Sequence, residues 1–200
     1  SIKTFVQNVV AKYGEGKVES HASIESITTK LDVTAANIND GKVSSKVDHS
    51  ATGVALRHVD DGRETSLTIR KVDASLTANL ANINTPLPDT ELKLTIGPVS
   101  AVHALDADTS VRGEFASAEL SAKADLKDLF DGTQVVELNT AVTEGSVSTH
   151  SAGVELNKTG IESATSSTTL SLDKMGAGPL SMSVKTQVQR LRYEDPLVSV

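Results

Sequence analysis

The stretch DDGRETSLTIRKVDASLTANLANI, residues 60–83, alternates between apolar and polar residues as a β-strand does, but the alternation changes phase halfway. Leu67 and Ile69 stand at odd positions, whereas the apolar residues from Val72 onward stand at even positions. Side chains along a strand point to opposite faces in turn, so a step of one residue moves every later side chain to the other face. The sequence therefore predicts a long strand that bends or bulges near Arg70-Lys71.

The same step recurs in neighbouring segments. The phase changes between Ile24 and Ile27, at Gly53 and at Gly97-Pro98, and later stretches step at Gly153-Val154 and between Val188 and Leu191. Glycine and proline often mark a β-bulge. We expect each long strand to pass from one layer to another, as in a sandwich with shared strands or an open barrel. The alternative is one extended sheet whose two halves are covered on opposite sides, one by the N-terminal segment and one by a partner chain.

Turn signals divide the chain into about nine strands. They lie at Asn39-Asp40-Gly41, Asp60-Asp61-Gly62, 84–89, near Asp108-Thr109, and at Asp131-Gly132, Glu144-Gly145, 157–160 and 174–179. Tight turns join antiparallel neighbours, and no helical crossover pattern separates the strands. The fold class is thus mainly β, an antiparallel meander of long strands within a single β-rich domain over residues 1–200, with strands over 17–200.

Residues 1–14, SIKTFVQNVVAKYG, have apolar residues at three- and four-residue spacings, and Gly14 is a suitable stop. This spacing predicts a short amphipathic helix that packs on the core. A helix that docks on a partner or a membrane surface is the alternative, but interfacial helices are usually rich in cations. Only Lys3 and Lys12 supply positive charge here.

Composition excludes several classes of function. The net charge is −7 and the chain has no cysteine, no tryptophan and few other aromatics. Nucleic acid binding needs basic patches and aromatic stacking platforms, so it is not expected. Thiolate chemistry and cysteine-ligated metal sites are ruled out. No apolar run approaches the roughly 20 residues of a transmembrane helix.

No catalytic, cofactor-binding or metal-binding constellation stands out, and an enzyme is not expected. The histidines show no ligand spacing and read as ordinary strand residues; they are His21, His49, His58, His103 and His150. Asp48-His49 is a weak acid–base pair, and the acidic turns lack the ligand order of a calcium loop. Asn157-Lys158-Thr159 forms a glycosylation sequon on an expected turn.

These patterns favour a non-enzymatic structural or assembly protein whose sheet buries a face against its own copies or other protein subunits. The alternative is a carrier that binds an apolar, lipid-like ligand in a β-groove or barrel capped by the N-terminal helix. A membrane-active β-protein is less favoured because it would need aromatic girdles. No cofactor is expected, and the compartment stays open, with the extracellular space or a particle surface favoured.

Overall fold

The computed structural model describes residues 1–36, 42–80, 89–125, 133–173 and 178–195. Within these ranges eleven strands form one antiparallel sheet. The strands are β1 (Ile2–Glu15), β2 (Val18–Ala36), β3 (Lys42–Asp60), β4 (Arg63–Leu80), β5 (Asp89–Ile96), β6 (Val99–Ala104), β7 (Thr109–Phe115), β8 (Ser117–Asp125), β9 (Thr133–Ser151), β10 (Val154–Asp173) and β11 (Leu180–Glu194).

Two positions in the sheet are each occupied by two strands that follow one another along the same line. These are β5 with β6, and β7 with β8. β4 pairs with β5 through 72–79 and with β6 through 65–69, and β9 pairs with both β7 and β8. The sheet therefore has nine positions in chain order, which confirms the predicted antiparallel meander. At about 4.8 Å between strands and about 3.3 Å per residue, it measures roughly 40 Å by 60 Å. A sandwich or barrel is not what the described strands form.

The predicted N-terminal helix is wrong, because residues 2–15 form β1 and pair with β2 along their length. The helix-like spacing has a physical cause. Val6 and Val9 are three residues apart because β1 changes phase between them, and such a step imitates the i, i+3 spacing of a helix. The Val and Ile content of the segment, typical of strands, was the better signal.

The turn predictions have mixed outcomes. The turn at Asp61-Gly62 and the one before Thr109 are confirmed. Glu144-Gly145 and 157–160 are wrong, because both lie inside strands, and β9 is instead joined to β10 by a turn at Ala152-Gly153. Four expected turns lie wholly or mostly outside the described residues. The turns at 39–41 and 131–132 lie wholly outside, and those at 84–89 and 174–179 mostly outside.

The phase changes fall on one line across the sheet. One residue from each of the nine positions stands on this line, which we call the step row: Asn8, Glu25, Gly53, Arg70, Pro98, Ala116, Glu144, Glu162 and Arg190. Alternate strands adopt a left-handed backbone there, with φ of 55° at Asn8, 60° at Gly53, 50° at Glu144 and 46° at Arg190. The middle position uses Gly97, φ 146°, followed by Pro98.

The step is not a β-bulge, because no strand gains a residue relative to its neighbour. Gln7 pairs with Ser26 and Val9 with Ile24, so the register is the same on both sides of the step row. A bulge would shift that register by one. The one register shift among the described strand pairs is elsewhere, between Glu155 and Asn157 at the start of β10. All nine positions therefore change phase together and stay paired.

The step keeps the apolar residues of both halves on one face. A Cβ placed on Gly145 would lie 3.1 Å from Cγ1 of Ile161 and 3.9 Å from Cγ1 of Val142. Val142 and Gly145 are three residues apart on opposite sides of the step row, and ordinary alternation would put them on opposite faces. This answers the question raised by residues 60–83: the strand changes phase so that its apolar side chains need not change face.

A single sheet leaves this apolar face largely uncovered. Among the described residues Val99 is the one buried apolar side chain, at 8% exposure, whereas Leu191 is 72% exposed. The accessible surface is 13168 Å². A compact monomer of this mass would expose about 9,000 Å². The described residues thus form no second layer over an area of domain-core size.

The turn between β6 and β7 depends on Asp106. Its carboxylate accepts hydrogen bonds from the backbone N–H groups of Asp108 at 2.9 Å and Thr109 at 2.7 Å, and these bonds lower its pKa below the ordinary value. A lowered folded-state pKa stabilises the fold above the unfolded pKa of about 3.9, and that contribution is lost as the pH falls through the folded value.

We therefore expect Asp106→Ala to lower the unfolding midpoint at pH 7 and to lose this difference from the wild type as the pH falls through the lowered pKa of the Asp106 carboxyl. Thermal unfolding followed by circular dichroism across this pH range measures both effects. Asp108→Ala is the control, since it keeps the backbone donors and removes a neighbouring carboxylate. Equal effects of the two substitutions at pH 7 would contradict the role of Asp106.

Candidate binding face

The apolar face beyond the step row, toward β1's N-terminus, is built from rows of paired residues that cross the whole sheet. The row nearest the step is apolar in every strand: Val6, Ile27, Ala51, Val72, Ile96, Ala118, Val142, Ala164 and Val188. A second apolar row lies four residues further along each strand, broken only by Thr168: Ile2, Leu31, Val47, Leu76, Leu92, Ala122, Leu138, Thr168 and Val184.

The other half of the sheet continues the same face. The row next to the step there consists of Val9, Ile24, Val54, Ile69, Val99, Phe115, Gly145, Ile161 and Leu191. The next row holds Ala11, Ala22, Leu56, Leu67, Ala101, Gly113, Val147, Thr159 and Tyr193. We call the surface made by these four rows, with the alternate residues between and beside them, the charge-free face.

Among the described residues no Asp, Glu, Lys or Arg stands in the rows of this face on either side of the step row, away from its turn-bordered ends. Away from those ends and the step row, the Asp, Glu, Lys and Arg side chains of the strands lie on the opposite face, which we call the charged face. Ion pairs between residues two apart on one strand are frequent there, such as Lys46 with Asp48 at 2.9 Å and Lys93 with Glu91 at 2.8 Å. The pairing lowers the pKa of Asp48, chiefly through the hydrogen bond from Lys46.

Exposed pairs of this kind contribute little to stability. These pairs nevertheless distinguish the two faces of the sheet, because the charged face is strongly hydrated and the charge-free face is not. Such a difference across a single layer is the arrangement of an amphipathic surface, which is stable only when its apolar side is removed from water.

Some polar groups on the charge-free face are hydrogen-bonded to one another. Each of its three described histidines bonds a hydroxyl on the neighbouring strand through Nδ1: His58 with Ser20 at 2.8 Å, His103 with Thr65 at 2.8 Å and His49 with Thr29 at 2.7 Å. These bonds use one ring nitrogen of each histidine and one hydroxyl on the neighbouring strand. The face therefore carries hydroxyl and imidazole groups between its apolar rows, and several of these groups are bonded to one another within the sheet.

Two shallow depressions lie on this face, mainly in the half of the sheet that ends at Val18 and Asp60. One, of about 410 Å³, is bordered by Val99, Phe115, Val142, Val147 and Ile161. The other, of about 530 Å³, lies over Ala11, Ala22, Leu56 and Leu67. Both are open on one side, and each has the volume of the small-ligand pockets of proteins.

The residues singled out from the sequence do not assemble into a reactive site. Asp48 and His49 lie on opposite faces of β3 and bond Lys46 and Thr29 respectively, not each other. His21 and His150 are on the charged face. The described part of the chain has no cluster of three or more His, Asp or Glu side chains placed to hold a metal ion. Asn157 lies at the register shift in β10 and not on a turn.

Sequence reasoning found the alternating apolar pattern but missed its extent. The steps in β1, β9 and β10 were overlooked, because Val6–Val9 imitates a helix and Gly145 and Gly160 imitate turns. The charge-free face could have been recognised by listing which strand positions are never Asp, Glu, Lys or Arg once the step is applied. That signal is present in the sequence but becomes readable only with the register.

Within the described residues no helix has the length and apolar character needed to cross a membrane. Comparison of the chain with models of protein families, with curated proteins and with solved structures found no match.

Proposed function

We propose that the protein is a non-enzymatic β-sheet module whose charge-free face binds the aliphatic chains of lipid-like molecules. The observation that carries this proposal is the continuity of the face: its apolar rows cross nine strand positions on both sides of the step row, and no charged side chain stands in these rows among the described residues. Burying an unpaired charge costs several kcal/mol, so its exclusion from so large a surface fits contact with a fully apolar phase.

Two further features support an aliphatic ligand over a folded protein. The anchors of protein interfaces are mostly Trp, Tyr and Arg. On the described charge-free face Tyr13 and Tyr193 stand on the two edge strands, and no Trp or Arg is present away from the turns. The internal pairing of His49, His58 and His103 with hydroxyls also reduces the number of groups available for the hydrogen bonds that protein interfaces usually carry.

Assembly through the same face is the second candidate. A face of roughly 40 Å by 60 Å offers on the order of 2,000 Å² per copy, which is within the range of obligate subunit interfaces. Such interfaces resemble a domain core cut in half, and the Val, Leu, Ile and Ala rows are of that kind. The exposed area of the isolated chain supports either occupant, and the two predict different masses in solution.

Native mass spectrometry of the purified chain, with solvent extraction of the same sample, separates them. We expect a protein that carries extractable apolar material of a few hundred daltons per molecule, released by organic solvent and identified by its mass. A defined oligomer with no added mass would reject lipid binding and favour assembly. The measurement should be repeated after delipidation, because a stripped chain with its charge-free face exposed is expected to aggregate.

A further inference from the structure

The two edge strands of the sheet, β1 and β11, share a backbone feature that restricts what can pair with them. All residues of both strands are exposed, and each pairs with one neighbour in the described structure, β1 with β2 and β11 with β10. An open edge with its unpaired N–H and C=O groups is a template for another strand. The backbone of each edge strand therefore determines which kind of strand can pair with it.

Pairing at the step row follows a strict alternation. A strand with a left-handed residue at the step always lies beside strands without one: Asn8 faces Glu25, Gly53 lies between Glu25 and Arg70, and Arg190 faces Glu162. We call these left-handed and ordinary strands. The alternation lets both members of a pair change phase while the register on each side is kept.

Both edges are left-handed strands, because the number of positions is odd. Two copies that met edge to edge would put two left-handed strands side by side, a pairing that occurs nowhere among the described strands. The ordinary strands of a second copy (β2, β4, the β7–β8 pair and β10) all have neighbours on both sides. A second copy of this chain therefore has no strand to offer that fits either edge.

We infer that the β11 edge is a docking site for an extended segment of a partner polypeptide that behaves as an ordinary strand. The segment should carry the step as apolar–acidic–polar–apolar, as in Ile24-Glu25-Ser26-Ile27 of β2 and Ile161-Glu162-Ser163-Ala164 of β10. The acidic residue would face Arg190, whose guanidinium bonds Glu162 at 3.0 Å and is still 69% exposed. Its planar group has several donors, so it can serve a second carboxylate on its open side.

This inference concerns the edge and not the charge-free face, so its test is independent of lipid binding. Strand addition of this kind draws affinity from backbone hydrogen bonds and specificity from alternate side chains. Here the specificity would also come from the step, since a segment without it presents half of its apolar side chains to the charged face.

A peptide that copies β10, residues 154–173, is the probe, because β10 already pairs with the other side of β11. We expect the full chain to bind the fluorescently labelled peptide and to show hydrogen-exchange protection confined to β11. The matched control is the same peptide with the residue equivalent to Glu162 deleted, which should bind at least tenfold more weakly. A second peptide with Glu162→Arg should also bind more weakly, and the chain variant Arg190→Glu should restore its binding.

Three outcomes would overturn the inference. One is no binding of the β10 peptide, the second is equal binding of the peptide and its deletion control, and the third is protection spread over the sheet without a maximum at β11. Thermal unfolding of Arg190→Glu shows beforehand whether that variant keeps its fold, and the comparison of the two peptides on the unchanged chain does not depend on it.

Discussion

The Gly97→Ala variant should unfold roughly 10 °C below the wild type or fail to accumulate as folded protein. Gly97 has φ of 146°, a backbone region that residues with a side chain rarely occupy, and its strain alone costs about 1–3 kcal/mol. An added Cβ would also overlap the carbonyl oxygen of Ala116 and lie 2.9 Å from Cα of Ser117. Both obstacles are backbone atoms of paired strands, which cannot move aside without opening the sheet.

The expected loss of folding free energy from both causes, about 3 kcal/mol or more, is a large fraction of the 5–15 kcal/mol that stabilises a typical domain. Two controls separate its causes. Gly153→Ala tests positive φ alone, since Gly153 has φ of 80° and no described heavy atom lies within 4 Å of its added Cβ. Gly113→Ala tests a strand glycine with the same freedom and no positive φ, and should change the midpoint little. A Gly97→Ala midpoint equal to that of Gly113→Ala would contradict the strain at the step.

The Leu56→Glu variant should lose most of its affinity for lipid, whereas Ala55→Glu should keep it. The two residues are adjacent in β3 and point to opposite faces. Leu56 lies in the larger depression on the charge-free face and is 46% exposed, so its replacement should be tolerated by the fold. A carboxylate there must be desolvated by an aliphatic ligand, at a cost of several kcal/mol, and each 1.4 kcal/mol is tenfold in affinity.

Binding of NBD-labelled phosphatidylcholine to the delipidated chain, followed by fluorescence, measures this loss. The two variants have the same net charge, so a difference between them reports the face and not the overall electrostatics. We expect a loss of tenfold or more for Leu56→Glu and less than twofold for Ala55→Glu. Equal loss in both, or unchanged binding in both, would remove the charge-free face as the lipid site.

The sequence predicted the meander, the long strands and several of the steps, because alternation of period two is a local property that residues such as Leu67, Ile69 and Val72 display directly. It did not predict on which face the apolar residues fall after a step. A phase change caused by an inserted residue and one caused by a left-handed backbone look the same in sequence. Only the paired register, 7 with 26 and 9 with 24, distinguishes them.

The same ambiguity explains the errors in individual segments. In β1 the interval from Val6 to Val9 matched a helical spacing, and in β9 the glycine beside Glu144 matched a hairpin turn. Both patterns are produced by the step, which cannot be recognised in one strand without the strands that pair with it. The histidine–hydroxyl pairs could not be predicted from the sequence for another reason. Ser20 and His58 are brought together by strand register, and neither residue type alone indicates a partner.

The alternation of left-handed and ordinary strands has a consequence for how such a protein can change in length. Inserting or removing one strand within the sheet would place two strands of the same kind side by side and reverse the direction of every strand that follows. Inserting or removing a hairpin, one strand of each kind, preserves the step row, the chain direction and the charge-free face. Inside the sheet the unit of growth is therefore the pair of strands, and related sheets that differ in their internal strands should differ by even numbers.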